Sequence, residues 1–162
     1  HYIANGNPKS AIQVDIVGKG ASKEKLIKLA RTLNVEESVR IHGWLSQEEV
    51  DQLMANANVG ALTYRVCGHW NHTIPNKIFD YMLAGLPVLA TEVLTIKRII
   101  IEADCGVVCK NLNSKDVAEK LEYLKNPDVR QKLGENGYQA VFEKYNWESD
   151  SYHLNQAVEE LN

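Results

Sequence analysis

The sequence predicts an α/β fold, a Rossmann-like three-layer parallel sheet with helices on both faces. Short apolar runs alternate with amphipathic segments along the chain. Most of the runs are apolar throughout, which is typical of parallel strands that are covered on both sides. The 162 residues suffice for one domain with a sizeable core, and they contain no internal repeat, low-complexity segment or linker.

The hydrophobic periodicity places the elements along the chain. Strands are expected at residues 12–17, 38–43, 58–63, 87–91 and 106–110. Helices are expected at residues 22–34 and 46–57, from residue 75 onwards and at 94–103, with two or three more at 114–125, 128–145 and 148–161. The helical side chains expected to face the core are Leu26, Leu29, Ala30 and Leu33; Val50, Leu53 and Met54; Ile78, Phe79, Met82 and Leu83; Ile96, Ile99 and Ile100. Ser46 and Glu49 match a capping box, and Trp147 is expected in the core.

Charge and cysteine content exclude several classes of function. A net charge of −3 gives no basic surface for nucleic acid. No apolar stretch approaches the roughly 18 residues of a transmembrane helix, and residues 1–20 lack the order of a signal peptide. Cys105 and Cys109 flank a predicted strand and lie too far apart to share a disulfide or a metal. The cysteines are therefore expected to be buried free thiols in a reducing cytosol.

The stretch HTIPNKIFDYMLAGLPVLATE, residues 72–92, holds the strongest functional signal. It begins at the carboxyl edge of the predicted sheet, where open parallel sheets bind ligands. Pro75 suits the first turn of a helix, whose free N–H groups favour phosphate. Asp80 lies about one turn further, opposite the apolar side, where its carboxylate can accept two hydrogen bonds from a vicinal diol such as a ribose. One interpretation is a nucleoside diphosphate site; the other is an exposed Asp80 paired with Lys77.

The segment PNKIFDYMLAGLPVLAT resembles the donor-site signature of retaining glycosyltransferases of the GT-B fold, the group 1 family. Members of that family typically read Pro-x-Lys-x-x-Glu-Tyr-Met-Ala-x-Gly-x-Pro-Val. Four further segments resemble the family in the same order along the chain: IQVDIVGKG, VRIHGWLSQEEVDQLMANANVGAL, EADCGVVC and YNWE. The resemblance thus runs through most of the chain.

The resemblance implies a nucleotide-sugar site. Asp80 stands where the family has the glutamate that holds the ribose, and aspartate is one methylene shorter. His72 stands where the family has the glutamate that contacts the donor sugar, and an imidazole does not copy a carboxylate. The other implied donor-binding residues are Thr73, Ile74, Asn76 and Lys77 near the diphosphate, Leu45, Ser46 and Gln47 near the base, and Gly18 and Gly20 where the backbone would approach the ligand.

The resemblance also implies that residues 1–162 are a single donor-binding domain, the C-terminal half of a larger GT-B enzyme. The chain would begin after a strand and helix that carry a diphosphate-binding Arg and Lys, with HYIANGNPKS as the end of that helix. Lys19 does not match the family's Lys. Because the N-terminal acceptor domain would be absent too, we expect no transfer by this chain alone and assign it no catalytic residue.

The expected function is transfer of a sugar from a nucleotide-sugar to an acceptor hydroxyl with retention, in bacterial polysaccharide or glycoconjugate biosynthesis in the cytoplasm. The expected partners are the donor and an acceptor glycan or lipid-linked glycan on the missing domain, with peripheral membrane association of the full-length enzyme open. Two alternatives remain. One is a non-catalytic nucleotide-sugar binding module, which the substitutions at His72 and Asp80 favour. The other is a GT-B-fold nucleotide-sugar epimerase.

The cluster of Cys67, His69 and His72 raises the question of zinc. Its spacing, C-x-H-x-x-H, fits no common structural zinc site, and the sequence offers no evident fourth ligand. We therefore expect no metal and no cofactor, and assign the cluster to loop packing or donor contact. Trp70 is expected to cover an apolar edge, with stacking on a sugar as the alternative.

Overall fold

The computed structural model describes residues 12–111 and 113–160, which fall into two compact units that divide after Ala55. The segment HYIANGNPKS, expected to end a helix, lies outside the described residues. The first unit contains β1 (Val14–Val17), α1 (Lys23–Thr32), β2 (Val39–Gly43) and α2 (Gln47–Ala55).

The second unit contains the remaining elements. They are β3 (Gly60–Leu62), a 3-10 turn (Trp70–His72), α3 (Lys77–Leu83), β4 (Val88–Thr91), α4 (Leu94–Ala103), β5 (Gly106–Cys109), α5 (Ser114–Tyr123), α6 (Pro127–Glu143) and α7 (Trp147–Glu159). Strand and helix order therefore follow the prediction, with most boundaries moved inward by one or two residues. Asn113, Asn126 and Asn146 cap the last three helices with their side chains.

All described strand pairs are parallel, as predicted. In the first unit β1 pairs with β2, and in the second unit the strands pair in the order β3-β4-β5. Alternate residues of β4 point to opposite faces. Val88 and Ala90 pack with α3, α4 and Val141 of α6, whereas Leu89 packs with Leu124 and Leu133 on the other side. The predicted three layers are thus present in the second unit.

The first unit is less buried than its apolar pattern predicts. Val14 and Val17 of β1 are 37% and 40% exposed, and Leu29 of α1 is 53% exposed. Among the described residues, the strand β1 has only β2 as a hydrogen-bonded neighbour, and no other described strand covers its second edge. In α1, Ile27 is half-buried, whereas Leu29, which was predicted to face the core, is exposed.

Two further core assignments are wrong. Leu83 is 47% exposed because α3 turns it about 140° away from the fully buried Ile78, whereas Met82 stays on the buried side. Trp147 is 71% exposed at the first residue of α7, a helix with no buried residue among those described. The assignments of Ile96, Ile99 and Ile100 are confirmed, since each is at most 2% exposed.

The cysteines are free thiols, but only two of the three are buried. Cys105 precedes β5 and Cys109 is its last residue; both are at most 1% exposed, and burial raises the pKa of the Cys105 thiol to about 11. Cys67 is exposed because it lies in the loop after β3 rather than in a strand. No helix in residues 12–111 and 113–160 has the length and apolar character needed to cross a membrane.

Candidate functional site

The helix α3 presents Asp80 on its outer side. Ile78 and Met82 are fully buried and fix the inner side of the helix, and Asp80 lies exposed in its first turn. No hydrogen bond or ion pair joins the Asp80 carboxylate to any described residue, and Lys77 does not pair with it. The alternative of an Asp80–Lys77 ion pair is therefore not what the structure shows. The carboxylate has free lone pairs for a ligand.

Backbone N–H groups at the start of α3 are available as well. The amides of Ile74, Asn76 and Lys77 donate to no acceptor among the described residues, and the Asn76 side chain does not cap the helix. The amide of Thr73 differs from the expectation, because it donates to the Trp70 carbonyl at 3.3 Å inside the 3-10 turn. Three of these four neighbouring N–H groups can thus face an anion.

His72 lies exposed at the end of the 3-10 turn that precedes α3. Its imidazole makes no hydrogen bond, ion pair or ring contact with a described residue. Trp70 packs on Tyr64 with ring centroids 4.2 Å apart, and His69 meets the edge of Trp70 at 5.0 Å. Trp70 therefore covers the apolar end of β3, as predicted, and leaves His72 as the projecting side chain of the turn.

Hydrogen bonds from polar side chains that were not predicted from the sequence connect the carboxyl ends of the three strands in the second unit. The Thr91 hydroxyl, buried at the end of β4, donates to the Tyr64 carbonyl at 2.5 Å. The Asn111 amide donates to Glu92 Oε1 at 3.1 Å, and Asn111 Oδ1 accepts from the Val66 amide at 3.4 Å. These bonds hold the loop after β3 against the carboxyl edge. The sequence signal that could have predicted these bonds is the presence of polar residues at or directly after the end of each strand.

In the first unit, the glycine loop lies at the carboxyl edge. Gly18 has φ +145° and donates from its amide to the Gly43 carbonyl at 2.6 Å, so the ends of β1 and β2 are adjacent. A Cβ added to Gly18 or Gly20 would meet nothing within 4 Å. The space above both residues is open, which is what close approach of a ligand to the backbone requires.

The predicted base-contacting turn begins α2 at the same edge. Ser46 and Glu49 form the reciprocal capping box: the Ser46 amide donates to Glu49 Oε2 at 2.7 Å, and the Glu49 amide donates to Ser46 Oγ at 3.3 Å. Gln47 Nε2 donates to Asp51. The box fixes the direction of the chain through Leu45 to Gln47, and the bonds from Ser46 hold the pKa of the Glu49 carboxyl below its usual range.

Trp44, just before that turn, is 69% exposed, and Lys19 Nζ lies 5.7 Å from the centre of its indole ring. A cation over the face of an indole is attracted by the ring quadrupole. Lys19, which matches no Lys of the family, thus lies over an aromatic surface at the edge where Gly18 and Gly20 are open.

An ion-pair cluster lies on the two strands of the first unit. Asp15 accepts from Arg40 Nη2 at 2.7 Å and contacts His42 Nε2 at 2.6 Å. The hydrogen bond from Arg40, with a further contribution from His42, holds the pKa of the Asp15 carboxyl below its usual range. Asp15 and Arg40 are register partners, so the cluster locks the pairing of β1 and β2.

The predicted residues therefore form two groups, each compact within its own unit. His72, Thr73, Ile74, Asn76, Lys77 and Asp80 follow one another through the 3-10 turn and the start of α3, and Gly18, Gly20, Leu45, Ser46 and Gln47 share the edge of β1 and β2. Among the residues that the structure describes, no three His, Cys, Asp or Glu side chains lie close enough to hold a metal ion.

Comparisons with known proteins match this architecture to one class. Anabaena HepE, solved in complex with UDP, superposes with a TM-score of 0.81 over 98% of this chain and 43% of its own, at 16% identity. WaaG, a glycosyltransferase involved in lipopolysaccharide biosynthesis, has a TM-score of 0.67 over 82% of this chain and 34% of its own, at 25% identity. The fold is that of GT-B glycosyltransferases.

Sequence relatives agree with the fold. The family described as "Glycosyl transferases group 1" matches residues 5–140, and the chain belongs to this family. It is 24% identical over 131 residues to the N-acetyl-alpha-D-glucosaminyl L-malate synthase of Bacillus anthracis. That match covers 80% of this chain but 32% of the relative, so the chain spans about a third of the length of that enzyme.

Proposed function

We propose that this chain binds the nucleotide-sugar donor of a retaining glycosyltransferase. Membership of the group 1 family and the unpaired Asp80 carboxylate beside free N–H groups carry this proposal. The ribose diol would donate two hydrogen bonds to Asp80. The diphosphate would accept from the amides of Ile74, Asn76 and Lys77, with the Lys77 ammonium adding charge.

The first unit carries the other residues that the family resemblance implies for nucleotide binding. The open backbone at Gly18 and Gly20 gives room for close approach, and the fixed chain at residues 45–47 offers polar groups to a base edge. A relative of the same fold was solved with UDP, so a nucleoside diphosphate is the appropriate probe.

The proposed reaction is attack of an acceptor hydroxyl on the anomeric carbon, from the face on which the nucleoside diphosphate departs. The C–O bond to the diphosphate breaks, the new glycosidic C–O bond forms, and the acceptor proton leaves with the diphosphate. The N–H groups before α3 would stabilise charge that accumulates on the departing diphosphate. The acceptor would be a glycan or lipid-linked glycan, in bacterial polysaccharide or glycoconjugate synthesis.

The position of His72 favours a second candidate, a module that binds nucleotide-sugar without transferring the sugar. A neutral imidazole offers one donor and one acceptor, whereas the family's glutamate offers acceptors only. The two candidates differ in whether the bound nucleotide-sugar is cleaved to free nucleoside diphosphate.

Calorimetry of the full chain with UDP, GDP, UDP-glucose and GDP-mannose tests the binding that both candidates share. Because this chain alone is not expected to transfer sugar, the chain is then joined to the N-terminal part of a group 1 glycosyltransferase. Assay of free UDP or GDP from the sugar nucleotides by this chimera, with and without acceptor glycan, separates the two candidates. Binding with release favours the transferase. Binding without release under every condition favours the module, and absence of binding contradicts both.

A further inference from the structure

The 3-10 turn that carries His72 is held by its contacts with another helix as well as by its own bonds. It contains only three residues, and short 3-10 turns have weak hydrogen-bond geometry. Two of its backbone bonds are long: the His72 amide donates to the His69 carbonyl at 3.2 Å, and the Thr73 amide to the Trp70 carbonyl at 3.3 Å. The Thr73 hydroxyl adds a local bond to the His69 carbonyl at 3.0 Å. The position of the turn therefore depends on its contacts with other elements.

Those contacts come from the first turn of α4. The Thr95 hydroxyl donates to the Thr73 carbonyl at 2.8 Å and lies 3.5 Å from the Trp70 carbonyl. In the other direction, Asn71 Oδ1 accepts from the Leu94 amide at 3.2 Å. The residues on both sides of His72 are thus bonded to α4, while the imidazole itself projects unbonded.

The helix α4 is a rigid support for this purpose. Ile96, Ile99 and Ile100 are at most 2% exposed and belong to the main core of the unit. Its N-cap residue, Val93, offers no side-chain cap, so Asn71 supplies the missing acceptor from the turn. A shift of the turn would cost both the cap of α4 and the Thr95 bonds.

We propose that Thr95 is a positioning residue for the donor site, acting through the Thr73 carbonyl to hold His72 and the free amides before α3. This inference rests on the proposed donor-binding function. Thr95 touches no ligand in this account. The Thr95 hydroxyl holds the turn in place. The turn in turn determines where the His72 imidazole and the Ile74 and Asn76 amides meet the donor.

The test compares Thr95→Val, which keeps the shape but loses the hydroxyl, with Thr95→Ser, which keeps the hydroxyl. In the full chain, Thr95→Val is expected to weaken UDP binding about 3- to 10-fold, and Thr95→Ser to bind within about twofold of wild type. Thr32→Val is the matched control, because the Thr32 hydroxyl bonds a helix carbonyl in α1, outside the second unit. It should leave UDP affinity unchanged.

Coupling with His72 separates positioning from general stability. If Thr95 acts through the turn, His72→Ala combined with Thr95→Val should lose less affinity than the two single losses multiplied together. Full multiplicative loss would overturn the proposal, as would an unchanged UDP affinity in Thr95→Val or a Thr95→Ser variant as weak as Thr95→Val.

Amide hydrogen exchange without ligand provides the second measurement. Exchange at His72 and Thr73 should accelerate in Thr95→Val, while exchange at Ile99 and Ile100 stays at the wild-type rate. Equal acceleration at all four sites would mean general unfolding and overturn the positioning role. If the wild-type protein binds neither UDP nor GDP, the proposed function is contradicted, and this inference with it. If the wild type binds and only the variant results disagree, the positioning role of Thr95 alone is contradicted.

Discussion

The backbone of Gly134 lies directly against the carbonyl group of Gly85: a Cβ on Gly134 would come within 2.0 Å of the Gly85 oxygen. Gly85 directly follows α3, and Gly134 is buried within α6. One turn later, a Cβ on Gly137 would lie 3.3 Å from Met82 Cγ. These two glycines therefore set how closely the helix that carries Asp80 packs on the helix behind it.

Gly134→Ala should destabilise the protein by about 1–3 kcal/mol, because the methyl group must displace backbone rather than a flexible side chain. The intrinsic preference of a helix for alanine over glycine acts in the opposite direction, by at most about 1 kcal/mol. Urea unfolding measures the difference. Gly68→Ala, where a Cβ would meet nothing within 4 Å, is the control. A Gly134→Ala protein as stable as wild type would show that α3 and α6 can separate freely.

Local sequence rules account for much of the second unit and for the start of α2. Ser46 and Glu49 are three residues apart and make the capping box that this spacing predicts. The isoleucines of α4 are buried because their helical spacing places them on one side. Such features depend on neighbours within one or two turns, which the sequence displays directly.

Other features depend on contacts that no local pattern contains. From the sequence, Gly134 is expected to weaken its helix, because glycine has a low helix propensity. Only the structure shows that the Gly85 carbonyl lies against it and leaves no room for a side chain. In the sequence, Thr95 has no feature that distinguishes it from other helix residues. Its hydrogen bond to the Thr73 carbonyl is formed only in the folded protein. Leu83 is apolar yet exposed, because α3 turns it away from the core, and Trp147 is apolar yet exposed at the start of α7. The candidate site was predicted by motif, whereas its supports needed the fold.

Asp80→Asn should weaken UDP binding roughly 10- to 100-fold, because the amide accepts from the ribose with one oxygen only and carries no charge. The melting temperature should change little, since Asp80 is exposed and bonds no described side chain. Calorimetry and thermal unfolding of the same preparations measure both. Asp150→Asn, in the first turn of α7, is the matched control. Normal binding combined with earlier unfolding would make Asp80 structural.

Gly20→Ala should leave stability unchanged but reduce nucleotide affinity. The added methyl group meets no protein atom within 4 Å, so the fold can accept it. It would occupy the space in which a ligand approaches the loop, as expected for a glycine kept for close approach. Calorimetry with UDP tests the affinity and urea unfolding the stability. Unchanged affinity would remove Gly20 from the donor site.

Asp15→Asn should lower stability at neutral pH, and the difference from wild type should disappear as the pH falls. The pKa of the Asp15 carboxyl is held below its usual range by Arg40, so its contribution is present above the unfolded pKa, near 4. That contribution is lost as the pH falls through the lower folded pKa. Urea midpoints between pH 7 and pH 2.5 measure this. Glu36→Gln, whose carboxylate bonds no described residue, should show no such convergence.

We propose that the carboxyl edges of the parallel strands bind a nucleoside diphosphate. NMR titration of the full chain with UDP and GDP tests it most directly, because each backbone amide reports separately. We expect saturable shifts at residues 73–80 in the second unit, and at Gly18 and residues 45–47 in the first. Shifts confined to α5, α6 and α7, with these amides unmoved, would contradict it.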